Sequence, residues 1–319
     1  MRFHSTFRPL AVLALTLLTR FAGAEDFNLE HSLASAAKGD AEAQFLVGRA
    51  YANGEGAPKD LARAADFYRK AAEQGNPKAQ NNLAWLYLNG NGVAKDAAEG
   101  LMWLRKAAAQ GTAKSQDSLG YILAKGQGVP KDCKEAVQWL GKAAAQGVVR
   151  AQAQLGFIYY FGDDGVSQDY TLAAKWFTEA GKGGHADAQN AMGVLYQNGW
   201  GTFKSDGLAV LWFMKAAGQQ NAKAQANLGH AIALGHGTDP DPVTAYMWLK
   251  LSADNGEVTG ENFLEEFVKG LTSGQVAEGE KKVAEYRAKN GLKAPPPKPE
   301  PKSPGNPLNS NLSPAASKP

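Results

Sequence analysis

A single cysteine, Cys133, stands in 319 residues, so no intrachain disulfide is possible. Histidine is scarce too: outside the N-terminal segment there are only His31, His185, His230 and His236. His230 and His236 share a repeat, but their spacing fits no metal-binding motif, and both are expected at the surface. No apolar run is long enough to span a bilayer; the longest candidate, Leu10–Leu18, is half the necessary length. Negative charge is absent from one end and scarce at the other. Residues 1–24 hold Arg2, Arg8 and Arg20 and no acid, and residues 291–319 hold four lysines against Glu300. The net charge of +3 therefore comes from the termini, and the stretch between them carries −3. The body is mildly acidic, so the sequence pI of 8.7 is no argument for nucleic-acid binding, and no nucleic-acid partner is expected.

The N-terminus has the form of a secretory signal. A basic start precedes the apolar run, and Ala22-Gly23-Ala24 supplies the small residues a signal peptidase requires. Cleavage after Ala24 places the mature protein, from Glu25, in the periplasm of a bacterium or outside the cell, without a transmembrane segment.

What the chain does have is repetition. Gly75 to Gly111 reads GNPKAQNNLAWLYLNGNGVAKDAAEGLMWLRKAAAQG, and near copies lie 36 residues to either side. Six copies fill residues 39–256, the signature of a repeat array. Each copy reads as two helices. In the second they are about Lys78–Leu88 (helix A) and Asp96–Gln110 (helix B), joined by a loop holding Gly90 and Gly92. Asp60, Asp96, Asp132, Asp169, Ser205 and Asp241 occupy the column where helix B needs an N-cap.

Helix A repeats bulky–small–x–x–bulky, as in Val47/Gly48/Tyr51 and Leu155/Gly156/Tyr159. Glycine inside a helix costs roughly 1 kcal/mol relative to alanine, so its return in five of six copies implies a steric need. Helix B answers with a column of Phe67, Trp103, Trp139, Trp176, Trp212 and Trp248, expected as core. A glutamine column (Gln44, Gln80, Gln116, Gln152, Gln189, Gln225) is expected to bond backbone in a neighbouring loop.

These motifs resemble the Sel-one-like repeat, a relative of the tetratricopeptide repeat, with its pattern A-x-x-x-L-G-x-x-Y-x-x-G-x-G-V-x-x-D, then A-x-x-W-x-x-K-A-A and a closing Gly. The resemblance implies an all-α, right-handed superhelical α/α solenoid that binds other proteins. Around it the sequence places an N-terminal cap over residues 25–38, two capping helices within 257–290 (about Glu261–Lys269 and Ser273–Lys289), and a disordered Pro/Lys-rich tail over 291–319. The fourth, fifth and sixth copies depart from the pattern in their loops, at Gly162–Gly165, Gly199–Phe203 and Gly237–Pro242.

No residue set points to catalysis, a cofactor or a metal. Asp163 and Asp164 form a loop pair expected as an exposed turn. Cys133 follows Asp132 at a helix start, which is expected to lower its pKa, but no histidine is near it in sequence. Ser35-Ala36-Ala37-Lys38 matches S-x-x-K, the nucleophile motif of penicillin-recognising enzymes, without its S-D-N and K-T-G partners. It keeps open an alternative, an envelope enzyme or binder acting on peptidoglycan or β-lactams, with the tail as a second route to the cell wall.

The main expectation is a scaffold that binds a protein or peptide of unknown identity. By analogy with tetratricopeptide geometry, helix A lines a concave side. One of its columns holds Trp85, Tyr121 and Phe157, the next turn adds Leu88, Tyr160 and Phe161, and Lys78, Lys114 and Arg150 flank it. An aromatic strip with a basic border suits an extended peptide or an acidic partner. The competing expectation is that the same column fills space between repeats.

Overall fold

The computed structural model describes residues 28–293. The signal segment with its cleavage site, and the tail from residue 294, lie outside the described residues. Those described form fifteen helices and no strand; an isolated bridge joins Asp163 and Val166.

The chain divides into two compact units, meeting in sequence at Gln110 and Gly111. The first holds α1 (Leu29–Ala37), α2 (Ala41–Asn53), α3 (Leu61–Glu73), α4 (Pro77–Asn89) and α5 (Ala97–Ala109). The second holds α6 (Ala113–Lys125), α7 (Cys133–Ala145), α8 (Val149–Phe161), α9 (Tyr170–Lys182), α10 (Ala186–Asn198), α11 (Asp206–Gly218), α12 (Ala222–Leu234), α13 (Pro242–Asp254), α14 (Val258–Val268) and α15 (Ser273–Asn290). The even-numbered helices from α2 to α12 are the helix-A members, and the odd-numbered ones from α3 to α13 the helix-B members. Within each unit, helix A packs on its own helix B, and helix B on the next helix A. This is the neighbour-only packing of an α-solenoid.

The helix boundaries follow local chemistry. Each of the six expected N-caps accepts a backbone amide through its side chain, as when Asp96 takes the Glu99 N–H at 3.0 Å. Helix A ends on a left-handed glycine in five copies, Gly90 being one (φ 72°). The second glycine of the loop has a different task. A Cβ on Gly201 would stand 2.2 Å from the Tyr170 carbonyl of the preceding copy. Only a bare backbone lets the loop rest on that helix start.

The helical glycines meet that steric need. A Cβ at Gly156 would lie 2.4 Å from the Phe177 ring, and one at Gly193 the same distance from Phe213. These contacts correct the expectation about helix B. The fully buried column is the residue after the tryptophan: Leu104, Leu140, Phe177, Phe213 and Leu249 are at most 1% exposed. Of the aromatic column itself, Trp103 is buried, while Phe67, Trp139, Trp176, Trp212 and Trp248 are half-buried. A lysine ammonium lies over several of these rings, 4.1 Å away for Lys142 on Trp139, and the Trp139 Nε1–H donates to Glu135 at 3.1 Å. The residue after the tryptophan fills the slot against the glycine, so most of the indoles lie at the helix edge, several under a charged side chain.

The glutamine column bonds helix rather than loop. Gln80 Nε2 donates to the Ala72 carbonyl at 3.0 Å, in the last turn of the preceding helix B, where carbonyls lack intrahelical donors. Its Oε1 accepts from Gln110 at 2.8 Å, the C-cap of its own helix B. The same double bond recurs at Gln44, Gln189 and Gln225. One side chain thus ties two consecutive helix-B ends together.

At the C-terminus, α14 packs on both α12 and α13, where a further helix A would lie. The α15 helix lies against α13. Val283 is buried with Met247 and Leu251, Tyr286 meets Trp248 at 5.1 Å, and Tyr246 donates to Glu280 at 2.6 Å. Arg287 pairs inward with Asp254 and Lys282 donates to Thr244 at 2.9 Å, so the charged side of α15 is partly used in docking, and its small apolar face closes the outside of the last repeat.

Candidate partner-binding cleft

A cleft of about 630 Å³ opens on the helix-A side of the second unit. On α8, Gln154, Phe157, Ile158 and Phe161 face it at i, i+3, i+4 and i+7. On α10, Asp187, Asn190, Ala191 and Val194 repeat that spacing. Four residues at this spacing share one helix face, so each helix presents one side to the opening. Ala124 and Lys125 close it from the end of α6, Lys223 from the head of α12, and Tyr160 and Asp163 from the end of α8.

The apolar wall is held from behind. Phe157 meets the buried Phe177 edge-on at 4.8 Å and stacks on Phe161 at 6.3 Å. Tyr160 is wedged between Phe161 (4.9 Å) and Tyr170 (5.4 Å), and burial pushes its phenol pKa up. Trp200 covers Tyr170 in a stacked pair at 5.0 Å. Phe161 itself is 67% exposed. Phe161 therefore presents most of its ring to solvent beside a wall supported from behind.

The extra residue of the fourth loop has a structural use. Asp163 and Val166 exchange backbone hydrogen bonds, and this tight turn reaches back to α7. There Asp163 pairs with Lys131, and Asp164 accepts the Cys133 N–H at 3.1 Å. The aspartate pair lies in an exposed turn, as expected, and both side chains are engaged there. The expectation for Cys133 is overturned. The thiol is fully buried, and burial first, then Asp163 among other neighbours, raises its pKa. The helix start does not offset these effects, and the thiol is held protonated.

Among the residues singled out in the sequence, Phe157, Tyr160 and Phe161 come together here, joined by Val194 of α10. Leu88 does not belong to a groove. It is buried against Gly100 of its own helix B, where a Cβ would lie 2.8 Å from it, and it is core. Trp85 is half-buried on α4 in the first unit. Tyr121 carries the Arg150 guanidinium over its ring at 5.1 Å, and Arg150 also binds Asp117 through Nε at 2.9 Å. Lys78 pairs with Glu42 at 3.1 Å, and Lys114 stands exposed at the head of α6. The border therefore offers less free positive charge than its composition implies. The cleft carries Lys125 and Lys223 beside Asp163 and Asp187.

Sequence reasoning missed Gln154, Lys125, Asp187 and Asn190. Asp187 was within reach: it stands in the Lys78/Lys114/Arg150/Lys223 column and reverses its sign. His230 is half-buried rather than free at the surface. Its ring meets Phe263 of α14 at 4.5 Å, and burial, with His236 second, lowers its pKa. The S-x-x-K serine, Ser35, lies in the last turn of α1, where its carbonyl accepts the Lys38 and Asp40 amides. Among the described residues, no three His, Cys, Asp or Glu side chains gather as a metal site. No helix among the described residues is long and apolar enough to cross a membrane.

A family model for the Sel1 repeat matches residues 41–76, 77–112, 113–148, 149–185, 186–221 and 222–257. The chain belongs to the Sel1 repeat family. Its Sel1 fold is similar to that of a protective antigen of uropathogenic Escherichia coli displaying an SLR fold, with TM-score 0.72 and 31% identity over 83% of this chain. The match spans 59% of the antigen's length. A Sel1 repeat protein from Oxalobacter formigenes is similar at TM-score 0.59 and 34% identity, over 70% of this chain and 89% of the other. No curated protein matches. Sel1 repeat proteins generally mediate protein–protein interaction and are typically non-catalytic scaffolds.

Proposed function

We propose that this Sel1 repeat protein is a non-catalytic scaffold of the bacterial periplasm or exterior, and that it holds an extended segment of a partner protein in the α8/α10 cleft. The observation that carries the reading is Phe161, 67% exposed at the mouth of a cleft of about 630 Å³ whose wall is braced by buried aromatics. The cleft sets an aromatic wall beside polar and charged groups of both signs. Its mixed charge favours a segment carrying both signs over a strongly acidic one. Placement outside the cytoplasm rests on the signal-like N-terminus, and native protein is expected to begin at Glu25 by mass spectrometry.

The test replaces Phe161 by the photo-cross-linker p-benzoylphenylalanine and irradiates the protein in periplasmic extract. A discrete adduct is expected. The same cross-linker at Leu211, which is 55% exposed on helix B, is expected to give none. Equal adducts from both positions, or none from Phe161, would defeat the proposal.

A further inference from the structure

We infer that Lys223 is the specificity-determining residue of the α8/α10 cleft, and that the segment it selects carries a carboxylate three residues from an apolar side chain. The inference rests on the cleft being a peptide site, and it names the chemistry of the peptide. Three observations carry it.

The first is an ion pair that the repeat makes elsewhere and not here. Glu42 and Lys78 hold the second position of two successive helix-A members, α2 and α4, and pair at 3.1 Å. Asn76, the N-cap of α4, also donates to Glu42, at 2.9 Å. Asp187 and Lys223 hold the same position on α10 and α12. Asn221, the N-cap of α12, donates to Asp187 at 2.7 Å just as Asn76 does to Glu42. With one methylene fewer, the carboxylate held by the N-cap amide does not reach the lysine. Lys223 pairs with no described residue, and it is exposed on the wall of the cleft.

The second is the set of groups around it. Asn190 and Gln154 line the same cleft. Asn190 Oδ1 accepts from Asn227, one turn beyond Lys223 on α12, at 2.9 Å, which leaves its amide hydrogens for a ligand. Gln154 bonds no described residue. An ammonium and two amides make a set of donors, and a carboxylate is the group that accepts from several donors at once. Asp187 stands beside the set. Its charge admits one carboxylate and disfavours a run of them, in keeping with the mixed signs of the cleft.

The third is distance. Gln154 and Phe161 stand at the two ends of the cleft face of α8, seven residues apart, which is about 10 Å at ~1.5 Å per residue. An extended chain covers that length in about three residues at ~3.3 Å each. An apolar side chain seated on Phe157 and Phe161 therefore brings the residue three places away to the Lys223 end.

The probes are two random-peptide display libraries selected on the folded protein, one with peptides fused at both ends and one with a free C-terminus. The protein is expected to enrich peptides with a large apolar residue and, three residues away, one carboxylate. A motif found in both libraries assigns a side-chain carboxylate, and one found only at the free end assigns the C-terminal carboxylate; either supports the inference. Lys223→Glu should weaken a selected peptide about tenfold, favour by about tenfold the same peptide with the carboxylate exchanged for a lysine, and keep the melting temperature. Lys114→Glu, in the same column on α6 and outside the cleft, should change neither affinity. The inference is overturned if no carboxylate is enriched at that spacing, if Lys223→Glu keeps the original preference, or if Lys114→Glu reverses it equally. In those cases, binding lost in Phe161→Ala would keep the cleft as a peptide site and reject only the role of Lys223. Selected peptides that ignore Phe161→Ala, or no selected peptides at all, would reject both.

Discussion

One methyl group placed on Gly156 and the same methyl placed on Gly141 should change stability in opposite directions. At Gly156 the added Cβ meets the Phe177 ring at 2.4 Å, and Phe177 has nowhere to go because it is fully buried. Gly156→Ala should cost about 1–3 kcal/mol, the usual penalty of overpacking. Gly141 is helical too, but nothing lies within 4 Å of its Cβ position. Gly141→Ala should gain about 0.5–1 kcal/mol from helix propensity alone. Urea denaturation of the two variants reads both signs, and a loss at Gly141 would mean the helix-B face is misplaced. The aromatic column gives a second contrast. Leu140→Ala removes a side chain with 0% exposure and should cost about 3–4 kcal/mol. Trp139→Ala removes a larger but half-buried ring and should cost less, about 2 kcal/mol. The reverse order would restore the tryptophans to the core.

At the scale of elements, the C-terminal cap is the part whose stability should respond to pH. His230 of α12 faces Phe263 of α14, and its pKa lies below the ordinary 6.5 because burial disfavours the imidazolium. A group depressed in the folded state stabilises above its unfolded pKa. The contribution is therefore complete above 6.5 and is lost as pH falls from there through the folded value. Thermal unfolding followed between pH 7.5 and 5 should show a decline, and His230→Phe, which keeps a ring against Phe263, should flatten it. A variant with the same decline would place its origin elsewhere. The elements themselves were readable because their ends are marked locally. Asp96 and Gly90 act through the few residues beside them. The position of α15 was not readable, because nothing in its own residues says that Val283 and Tyr286 will meet α13 rather than α14.

For the molecule as a partner-binding scaffold, Phe161 and Phe157 should separate binding from folding. Phe161→Ala removes an open anchor and should weaken a partner captured in the cleft by about thirtyfold, or 2 kcal/mol, with melting unchanged. Phe157→Ala should weaken binding and also lower the melting temperature, because its ring packs on Phe177. Binding assays and thermal melts on the same two proteins check this. If both melt early with binding kept per folded molecule, the column fills space between repeats and the partner lies on another face.

The sequence by itself determined the number of repeats, their period, the two helices of each and the caps that bound them. These depend on contacts within a copy, and six copies state each requirement six times. The tertiary structure decided which side of helix B is core, because the steric match between a glycine and Phe177 or Leu140 is a distance between helices that composition does not carry. It also separated Leu88 from Phe161, next to each other in the expected strip, by placing one against Gly100 and the other at an open cleft. Adjacent columns on a helix point about 100° apart, and only the neighbours in space determine which of them meets solvent.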